Sequence, residues 1–569
     1  MNFFLDDAGL VATFDRGIPW ERVIRLTEGP GADVAETVAS WRDVLSAAGR
    51  FIGTEVAARA REVDALGVVR ENGRVEMNAP LKRNLRGLAD LGLMGLSLPV
   101  EHGGSGLPFS MTAFVIAMLA RACPSTMVQY AFYTAPAAMI FRYGTDEQKR
   151  RYLPRLARGE ILGAVAMTES QAGSDVGAIV TTATGRDGGW VVEGRKQFIS
   201  AGNGDFVIAL ARCVPGSRGL AGLGLFIADR ADDNYVVERA EHKFTIRGSP
   251  TCALRFEATR AELLGGVGEG WHGILSFMNE SRLGVGIQGL GIGTAAFTAA
   301  AEYAKQRVQM DRPIREHPLV AEMLLDMETS LAGLRALVAE AAVLQDEVLF
   351  ARDERAARRL RELTPLVKWY GAEEMIRVCR QALQIHGGYG VVTEYDVERH
   401  MRDSLILPIY EGTSQIQSLM AVRDLMRALF RDPVSLLRRG PSVTLARARF
   451  AGPTGRSFAA ARGALVATLR GLTVGLARRG GLALVRGRRA PTDDEIRPFL
   501  LHAERITETL AHLHVARALA EQAGRIPEHT ALAARAAVRA RSVAERNARD
   551  VRAGDGGVFA RIRAWEQDR

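Results

Sequence analysis

The sequence is poor in cysteine and lacks the usual metal-binding spacings. Four cysteines occur in 569 residues, and no two of them form a CxxC pair. They are Cys123, Cys213, Cys252 and Cys379. Such scattered thiols argue against both a disulfide framework and a structural zinc site. His386 and His400 also lack ligand-like partners at helical spacing. We therefore expect buried, reduced cysteines and no metal centre.

A positively charged leader and a long uninterrupted hydrophobic run are also missing. The chain begins MNFFLDDAGL, so Asp6 and Asp7 stand where a secretory signal needs positive charge. Arg470 interrupts the most membrane-like stretch, and no window is predicted to approach a bilayer-spanning helix. With 47% hydrophobic residues the chain can bury several cores. These features predict a cytoplasmic, multidomain globular protein.

Acidic residues are absent from one long segment, which makes the charge uneven. Residues 431–569 contain 26 arginines, no lysine and 13 acidic residues, a net charge of +13, whereas the rest of the chain carries −4. Within them, residues 433–492 contain 12 arginines and no acid, interspersed with Leu, Val and Ala. This pattern is typical of an interfacial helix that contacts membranes peripherally. Nucleic-acid binding by phosphate neutralisation and a solvated helical domain packed on the rest of the chain remain alternatives.

Hydrophobic periodicity divides the chain into five segments. Apolar residues recur every three or four positions over 33–160 and 271–430, which predicts helices. Over 161–270 the period is two, in short β-branched or aromatic runs, which predicts an antiparallel sheet or barrel. Residues 1–32 and 431–569 are an N-terminal extension and a basic helical extension. Gly284, Gly286 and Gly289 spell GxGxxG after a helical pattern, so we expect close helix packing there, not dinucleotide binding.

Three separated segments carry chemically informative motifs. They read AMTESQAGSDVGA (166–178), QIHGGYGVVTEYDVERHMRD (384–403) and IYEGTSQIQ (409–417). Small residues in the first two allow backbone N–H groups to approach a cofactor. In the third, Glu411 is a lone carboxylate that precedes a helix start. Together the segments resemble the signatures of the acyl-CoA dehydrogenase family of flavoenzymes.

The resemblance covers about residues 33–431 and implies the family's architecture. The expected fold is mainly helical with a central β-domain: an N-terminal helical domain, a middle β-barrel domain and a C-terminal four-helix bundle. An extra C-terminal helical domain is expected here, as in larger, long-chain-type members, including methylmercaptopropionyl-CoA dehydrogenase-like proteins. Members with such a domain form homodimers, so the resemblance implies two subunits.

The resemblance also implies an activity and its residues. The expected enzyme uses FAD to convert a medium-to-long-chain acyl-CoA to trans-2-enoyl-CoA, with Glu411 accepting the α-proton and FAD N5 the β-hydride. The implied flavin contacts are Met167, Thr168, Phe198, Ser200, Arg307, Gln384, Gly387, Gly388, Thr413 and Gln415. The implied substrate contacts are Ser174, Arg282, Tyr410 and Gly412. Arg307, Gln384 and the two glycines are expected to serve the neighbouring subunit's cofactor.

Alternatives to this reading concern the base and the basic extension. Some family members place the base on an earlier helix, near Glu280, but the position that should carry it is Ser281, so Glu411 is preferred. The resemblance implies electron-transferring flavoprotein as the electron acceptor. The alternative function is that of a DNA-associated flavoprotein of the same fold, whose basic tail binds nucleic acid.

Overall fold

Helices lie on both sides of a central β-domain. The structure, a computed structural model, describes residues 1–186, 188–231, 234–431, 445, 448–485 and 492–567. The first helices are α1 (Ala8–Ala12), α2 (Trp20–Thr27), α3 (Val34–Phe51), α4 (Ala57–Leu66), α5 (Ala79–Asp90), α6 (Phe109–Ala122), α7 (Pro124–Tyr143) and α8 (Asp146–Ala157). After the β-domain follow α9 (Gly270–Gln306), α10 (Pro318–Ala351), α11 (Glu354–His386), α12 (Val397–Ser404) and α13 (Ser414–Arg431). The last helices are α14 (Gly452–Val485), α15 (Asp493–Leu501), α16 (Ala503–Gln522), α17 (His529–Arg552) and α18 (Val558–Gln567). This order confirms the predicted fold class.

Two short hairpins interrupt segments that the periodicity predicts to be helical. They are β1 (Val69–Glu71) with β2 (Arg74–Glu76), and β10 (Val308–Gln309) with β11 (Arg312–Pro313). The first turns at Asn72 and Gly73, which both have positive φ, as a two-residue hairpin turn requires. The second turns at Met310 and Asp311, also at positive φ although neither is glycine. The uniform helical prediction is therefore wrong at these two places.

The β-domain is a closed ring with two added strands. Its strands are β3 (Gly163–Ala166), β4 (Thr182–Arg186), β5 (Gly189–Ser200), β6 (Phe206–Arg212), β7 (Leu223–Asp229), β8 (Val236–Ala240) and β9 (Thr251–Leu264). The ring runs β6-β4-β5-β9-β7 and returns to β6, while β3 pairs with β6 and β8 with β9. The β3–β6 and β4–β6 pairings are parallel and the others antiparallel, so the barrel is mixed, not purely antiparallel.

Helix α9 forms the centre of the bundle and touches α11 through glycines. A Cβ added at Gly286 would lie 2.5 Å from Val367 Cγ1, and one at Gly289 would lie 2.1 Å from the Gly371 oxygen. These two glycines therefore allow the close packing that was expected. Contrary to the sequence prediction, α9 contains a window apolar enough to span a membrane, with a mean hydropathy of 1.3. However, 72% of that window is buried inside the protein, as in the core helix of a bundle.

The C-terminal helices α16 and α17 pack on α10 and α11. Val515 fills the space beside Gly333, and Arg517 and Arg539 form ion pairs with Glu340 and Glu374 of the bundle. The described part of the extension thus matches the third alternative, a helical domain packed on the bundle. A third of the basic, acid-free segment lies outside the described residues, namely 433–444, 446–447 and 486–491. All four cysteines are buried and free, as expected.

Candidate active site

Glu411 lies in a tight turn immediately before α13. Glu411 and Gly412 both have left-handed backbone conformations, with φ of 56° and 85°. The Gln417 side-chain amide donates to the carbonyl oxygens of both residues, at 3.3 and 3.1 Å. The Ser414 N–H donates to the Pro408 oxygen at 2.9 Å. A non-glycine residue at positive φ costs about 1–3 kcal/mol and persists where its surroundings enforce it, often at functional sites.

The Glu411 carboxylate faces the first half of α9. The Ser281 hydroxyl donates a hydrogen bond to Glu411 Oε2. Burial raises the pKa of Glu411, while the Ser281 hydrogen bond and the positive charges of Arg282 and Lys368 act in the opposite direction. A carboxylate with a raised pKa is a stronger proton acceptor once it is ionised.

Tyr410 and Arg282 extend this polar cluster. The Tyr410 hydroxyl donates to Gln288 Oε1, and burial raises the pKa of Tyr410, so its hydroxyl stays protonated. Arg282 is 3% exposed, and its Nη1 donates to Asn279 Oδ1 at 3.0 Å. Burial lowers the pKa of Arg282, which the charge of Glu411 opposes. The structure therefore brings three of the predicted residues, Tyr410, Glu411 and Arg282, to one place.

Glu280, the alternative base, is engaged elsewhere. Its Oε1 accepts hydrogen bonds from Arg142 and, at 3.0 Å, from Gln345. It lines a cleft of about 590 Å³ between α7, α9, α10 and α11, together with Asn279. The hydroxyl that contacts Glu411 belongs instead to the next residue, Ser281.

The residues expected around the flavin ring meet where β5 crosses the loop after β3. The Gln197 N–H donates to the Thr168 oxygen at 2.9 Å, which places the next residue, Phe198, beside that loop. Phe198 has a φ of 60° and lies in an irregular stretch of the β5–β9 pairing. Its side chain is 61% exposed, unusual for a phenylalanine in a strand. An exposed aromatic ring beside a loop of small residues fits a planar flavin. Met167 and Ser200 are half-buried close by in the chain.

A buried ion pair holds this loop in place. Lys196 Nζ lies 2.8 Å from Glu169 Oε1 and donates to the Met167 oxygen at 3.0 Å. The Glu169 carboxylate also accepts from the Val180 and Thr181 N–H groups at 2.9 and 3.1 Å. This pair was not predicted from the sequence, although a glutamate inside the first motif and a lysine in β5 were the available signal. Ser174, the predicted substrate contact in the loop, is exposed.

The residues expected at the pyrophosphate lie at the far end of the bundle. Arg307 follows the last residue of α9, and Gln384, Gly387 and Gly388 lie at the end of α11. The C-terminal ends of α9 and α11 are in contact there, where the Tyr303 ring stacks on the His386 ring with a centroid distance of 4.4 Å. The four residues are exposed, and a Cβ added at either glycine would meet nothing within 4 Å. An exposed guanidinium beside open glycine backbone fits a pyrophosphate.

This second group is distant from Glu411 in the same chain. Arg307 follows Ser281 by 26 residues along α9 and its C-terminal cap. At 1.5 Å per residue the separation is about 39 Å, far more than the ribityl chain between a flavin ring and its pyrophosphate can span. Thr413 and Gln415, in contrast, lie beside Glu411 at the start of α13. There the Thr413 hydroxyl accepts from the Ile416 N–H, and Gln415 donates to Glu504 of α16.

The chain matches three models of known protein families in succession. Residues 40–160 match the acyl-CoA dehydrogenase N-terminal domain, residues 164–259 the middle domain and residues 268–426 the C-terminal domain. An acyl-CoA dehydrogenase of Bacillus subtilis is 35% identical over 340 residues, which are 59% of this chain and 87% of that protein.

Solved structures show the same likeness. The butyryl-CoA dehydrogenase of Megasphaera elsdenii aligns with a TM-score of 0.62 and 30% identity, over 68% of this chain and 98% of that one. An acyl-CoA dehydrogenase of Bacillus anthracis, complexed with FAD, aligns with a TM-score of 0.76 over 90% of this chain and 88% of its own. Its identity is 24%, so this likeness concerns the fold, and at that coverage it extends into the C-terminal helices.

Proposed function

Because this chain belongs to the acyl-CoA dehydrogenase family, whose members use FAD to oxidise acyl-CoA thioesters, we propose that Glu411 is its α-proton base. The observation that supports this role is the half-buried Glu411 carboxylate, held in a left-handed turn and hydrogen-bonded to Ser281. Glu280, the competing carboxylate, is bound by Arg142 and Gln345.

The residues of this chain supply geometry and electrostatics to the reaction. The α-proton of an acyl thioester is weakly acidic, so its removal needs a strong, positioned base and stabilisation of the enolate oxygen. Burial raises the pKa of Glu411, which strengthens the ionised base. Among the described residues the Glu411 N–H makes no backbone hydrogen bond, and we propose that it donates to the thioester carbonyl. FAD, when bound, supplies the acceptor for the β-hydride.

An anaerobic titration of the holoenzyme with acyl-CoAs of graded length tests this function. We expect a medium-to-long-chain ester to bleach the flavin fastest, since the resemblance is to larger, long-chain-type members. Glu411→Gln should keep FAD bound but slow bleaching about 10²- to 10⁴-fold, because the amide cannot accept the proton. Glu280→Gln is the matched control and should bleach at the normal rate. Normal bleaching in Glu411→Gln together with slow bleaching in Glu280→Gln would show that the base is Glu280 of α9.

We propose a homodimer, which the distance between the two flavin-binding groups supports. Since about 39 Å of helix separates Ser281 from Arg307, one subunit cannot place both at one flavin. We propose that Arg307, Gln384, Gly387 and Gly388 of each subunit bind the pyrophosphate and adenosine of the cofactor held by its partner. Light scattering of the holoenzyme should give the mass of two chains.

The proposed electron acceptor is electron-transferring flavoprotein, on the strength of the family resemblance. The reduced enzyme should be reoxidised rapidly by added electron-transferring flavoprotein and slowly by dissolved oxygen. Faster reoxidation by oxygen would make this chain an oxidase.

We further propose a cytoplasmic enzyme that contacts anionic membranes loosely through its arginine-rich C-terminal extension. Each arginine near such a surface contributes about 1 kcal/mol at most. Liposome sedimentation compared with a salt-sensitive DNA gel shift separates membrane binding from the nucleic-acid alternative. The ion pairs of Arg517 and Arg539 with the bundle direct those two charges inward, which disfavours nucleic-acid binding by that face.

A further inference from the structure

Besides Arg282, the bundle buries a second cationic side chain, that of Lys368. Lys368 interrupts the apolar stretch TPLVKWYG of α11, and its side chain is 0% exposed. Its Nζ makes no hydrogen bond within the described residues. Burying an ammonium group is costly for folding unless a protein group replaces its hydration, and none of the described residues does so for Lys368. A residue that costs stability at such a position calls for a functional explanation.

The helix crossing places Lys368 at the level of the Glu411 cluster. Helices α9 and α11 run in the same direction, because Gly286 meets Val367 and Gly289 meets Gly371. Lys368 therefore lies level with residues 286–287 of α9. Ser281, which bonds Glu411, precedes this level, and Gln288, which bonds Tyr410, follows it. The two contacts that the Tyr410–Glu411 turn makes with α9 therefore lie on either side of the level of Lys368.

The charges around Lys368 support this placement. Burial lowers the pKa of Lys368 to about 8, while the carboxylates of Glu373 and Glu411 raise it and Arg282 lowers it. Reciprocally, Glu411 experiences Arg282 from α9 and Lys368 from α11 as its positive neighbours. The Arg282 guanidinium donates a hydrogen bond to Asn279, whereas the Lys368 amine has no such partner in the described part of the chain.

We propose that Lys368 is a positioning residue that keeps Glu411 ionised in its buried site and thereby sets the lowest pH at which the base works. This inference rests on the proposed function of Glu411. Enclosure by protein and substrate raises the pKa of a carboxylate and so favours its protonated form, which is not a base. Lys368 opposes this with a charge that acts through Glu411, without touching the substrate.

The pH dependence of flavin bleaching in the holoenzyme tests the proposal. The probe is the acyl-CoA that bleaches wild-type flavin fastest. The acid limb is the pH range in which the bleaching rate falls as the pH is lowered. Lys368→Met should shift this limb to higher pH by about one pH unit or more, because a unit charge several ångströms away at an effective dielectric near 20 has that effect. Lys368→Gln, a second uncharged variant, should move the limb in the same direction.

Lys243→Met is the matched control. Burial also lowers the pKa of Lys243 to about 8, but its Nζ donates to the Ser249 oxygen at 2.6 Å in the loop after β8. Glu411 is not among the charges that act on it. The acid limb of Lys243→Met should therefore lie at the same pH as that of the wild type.

Thermal unfolding provides a second readout that does not depend on activity. The folded pKa of Lys368 is lower than its unfolded value, so its charge destabilises the fold below about pH 8, and this penalty disappears as the pH rises toward 10.5. Lys368→Met should therefore melt at a higher temperature than wild type at pH 7, with a gain that shrinks by pH 10. A purely structural lysine would give a loss of stability at pH 7.

The possible outcomes are distinct. A raised acid limb in both Lys368 variants, with Lys243→Met unchanged, supports the proposal. An unchanged acid limb in the Lys368 variants overturns it, even where the maximal rate falls, and so does a loss of stability at pH 7. If no acyl-CoA bleaches the wild-type flavin, the proposed function fails, and the role of Lys368 fails with it.

Discussion

At the scale of single residues, the Ser281 hydroxyl controls how readily Glu411 ionises. A hydrogen bond to a charged group is worth about 1.5–3 kcal/mol, and one pKa unit corresponds to about 1.4 kcal/mol. Ser281→Ala should therefore raise the already elevated pKa of Glu411 further, so that bleaching at low pH weakens while the rate at high pH is kept.

The control for this experiment is Thr298→Ala, which removes a hydroxyl from the same helix. That hydroxyl donates to the Thr294 oxygen within α9. Its pH profile should match the wild type, and an equal acid limb in Ser281→Ala would contradict the assigned hydrogen bond.

Gly412 is needed for the turn that presents Glu411. Its φ is 85°, and an added Cβ would lie 2.7 Å from Gln417 Nε2, the amide that holds the turn. Gly412→Ala should cost about 1–3 kcal/mol of local strain and slow bleaching, with FAD still bound. Gly284→Ala in α9, where a Cβ meets nothing within 4 Å, is the control and should keep the bleaching rate. Equal rates in both variants would show that the turn is not needed.

At the scale of elements, the Glu169–Lys196 pair connects the loop after β3 to β5. Removing one partner of a buried ion pair typically costs about 3–5 kcal/mol, because the other charge remains buried. Lys196→Met should therefore lower the free energy of unfolding by this amount and release FAD more easily, as measured by urea unfolding and flavin fluorescence. Lys82→Met breaks the exposed pair with Glu76 and should cost less than about 1 kcal/mol. Similar losses in both would mean that the buried pair is not special.

Some elements are predictable from local pattern and others depend on distant partners. The long helices and the strands of the β-domain follow from repeated periodicity, and the turn at Glu411 from a compact motif. The β10–β11 hairpin has no turn signal, since Met310 and Asp311 reach positive φ without glycine. The parallel pairing of β3 with β6 joins segments about 40 residues apart, which alternation of side chains cannot specify.

The site shows the same division. Glu411, Tyr410 and Arg282 were identifiable because their motifs are local and resemble a family. Lys368 was not singled out, since a lone lysine in an apolar run says nothing about which carboxylate faces it. Only the crossing of α9 and α11 relates it to Glu411.

At the scale of the whole molecule, the C-terminal helices are part of the bundle's support. Glu374 is buried and bonded by Arg539 and Arg377. Burial alone would raise its pKa, but a hydrogen bond with His512 and the charge of Arg539, both in the extension, hold that pKa well below its usual range. The N-terminal extension also joins α10, where Arg22 lies 2.7 Å from Glu347. Removing residues beyond α13 would leave Glu374 with fewer counter-charges and expose apolar surface of α10 and α11. We expect such a truncated chain to lose stability, not to yield a smaller enzyme of normal stability.

The proposed dimer makes a prediction about mixed subunits. Arg307→Glu should abolish flavin binding in the partner's site, and Glu411→Gln should inactivate its own site, so each variant alone should be nearly inactive. In a mixed dimer with one substitution on each chain, one site combines an intact Glu411 with an intact Arg307 from the other chain. Purified through two different tags, this dimer should regain about half of the wild-type bleaching, as a symmetric two-site assembly requires.

The reciprocal arrangement distinguishes sharing between subunits from binding within one chain. When both substitutions are on one chain and the partner is wild type, each site has one damaged component, and bleaching should be absent. If Arg307 instead served its own chain, this second dimer would be half active and the first one inactive. The two dimers contain the same substitutions in the same number, so differences in stability or expression cannot produce the expected pattern. The distance along α9 between Arg307 and Ser281, which hydrogen-bonds Glu411, therefore predicts that the first dimer is the active one.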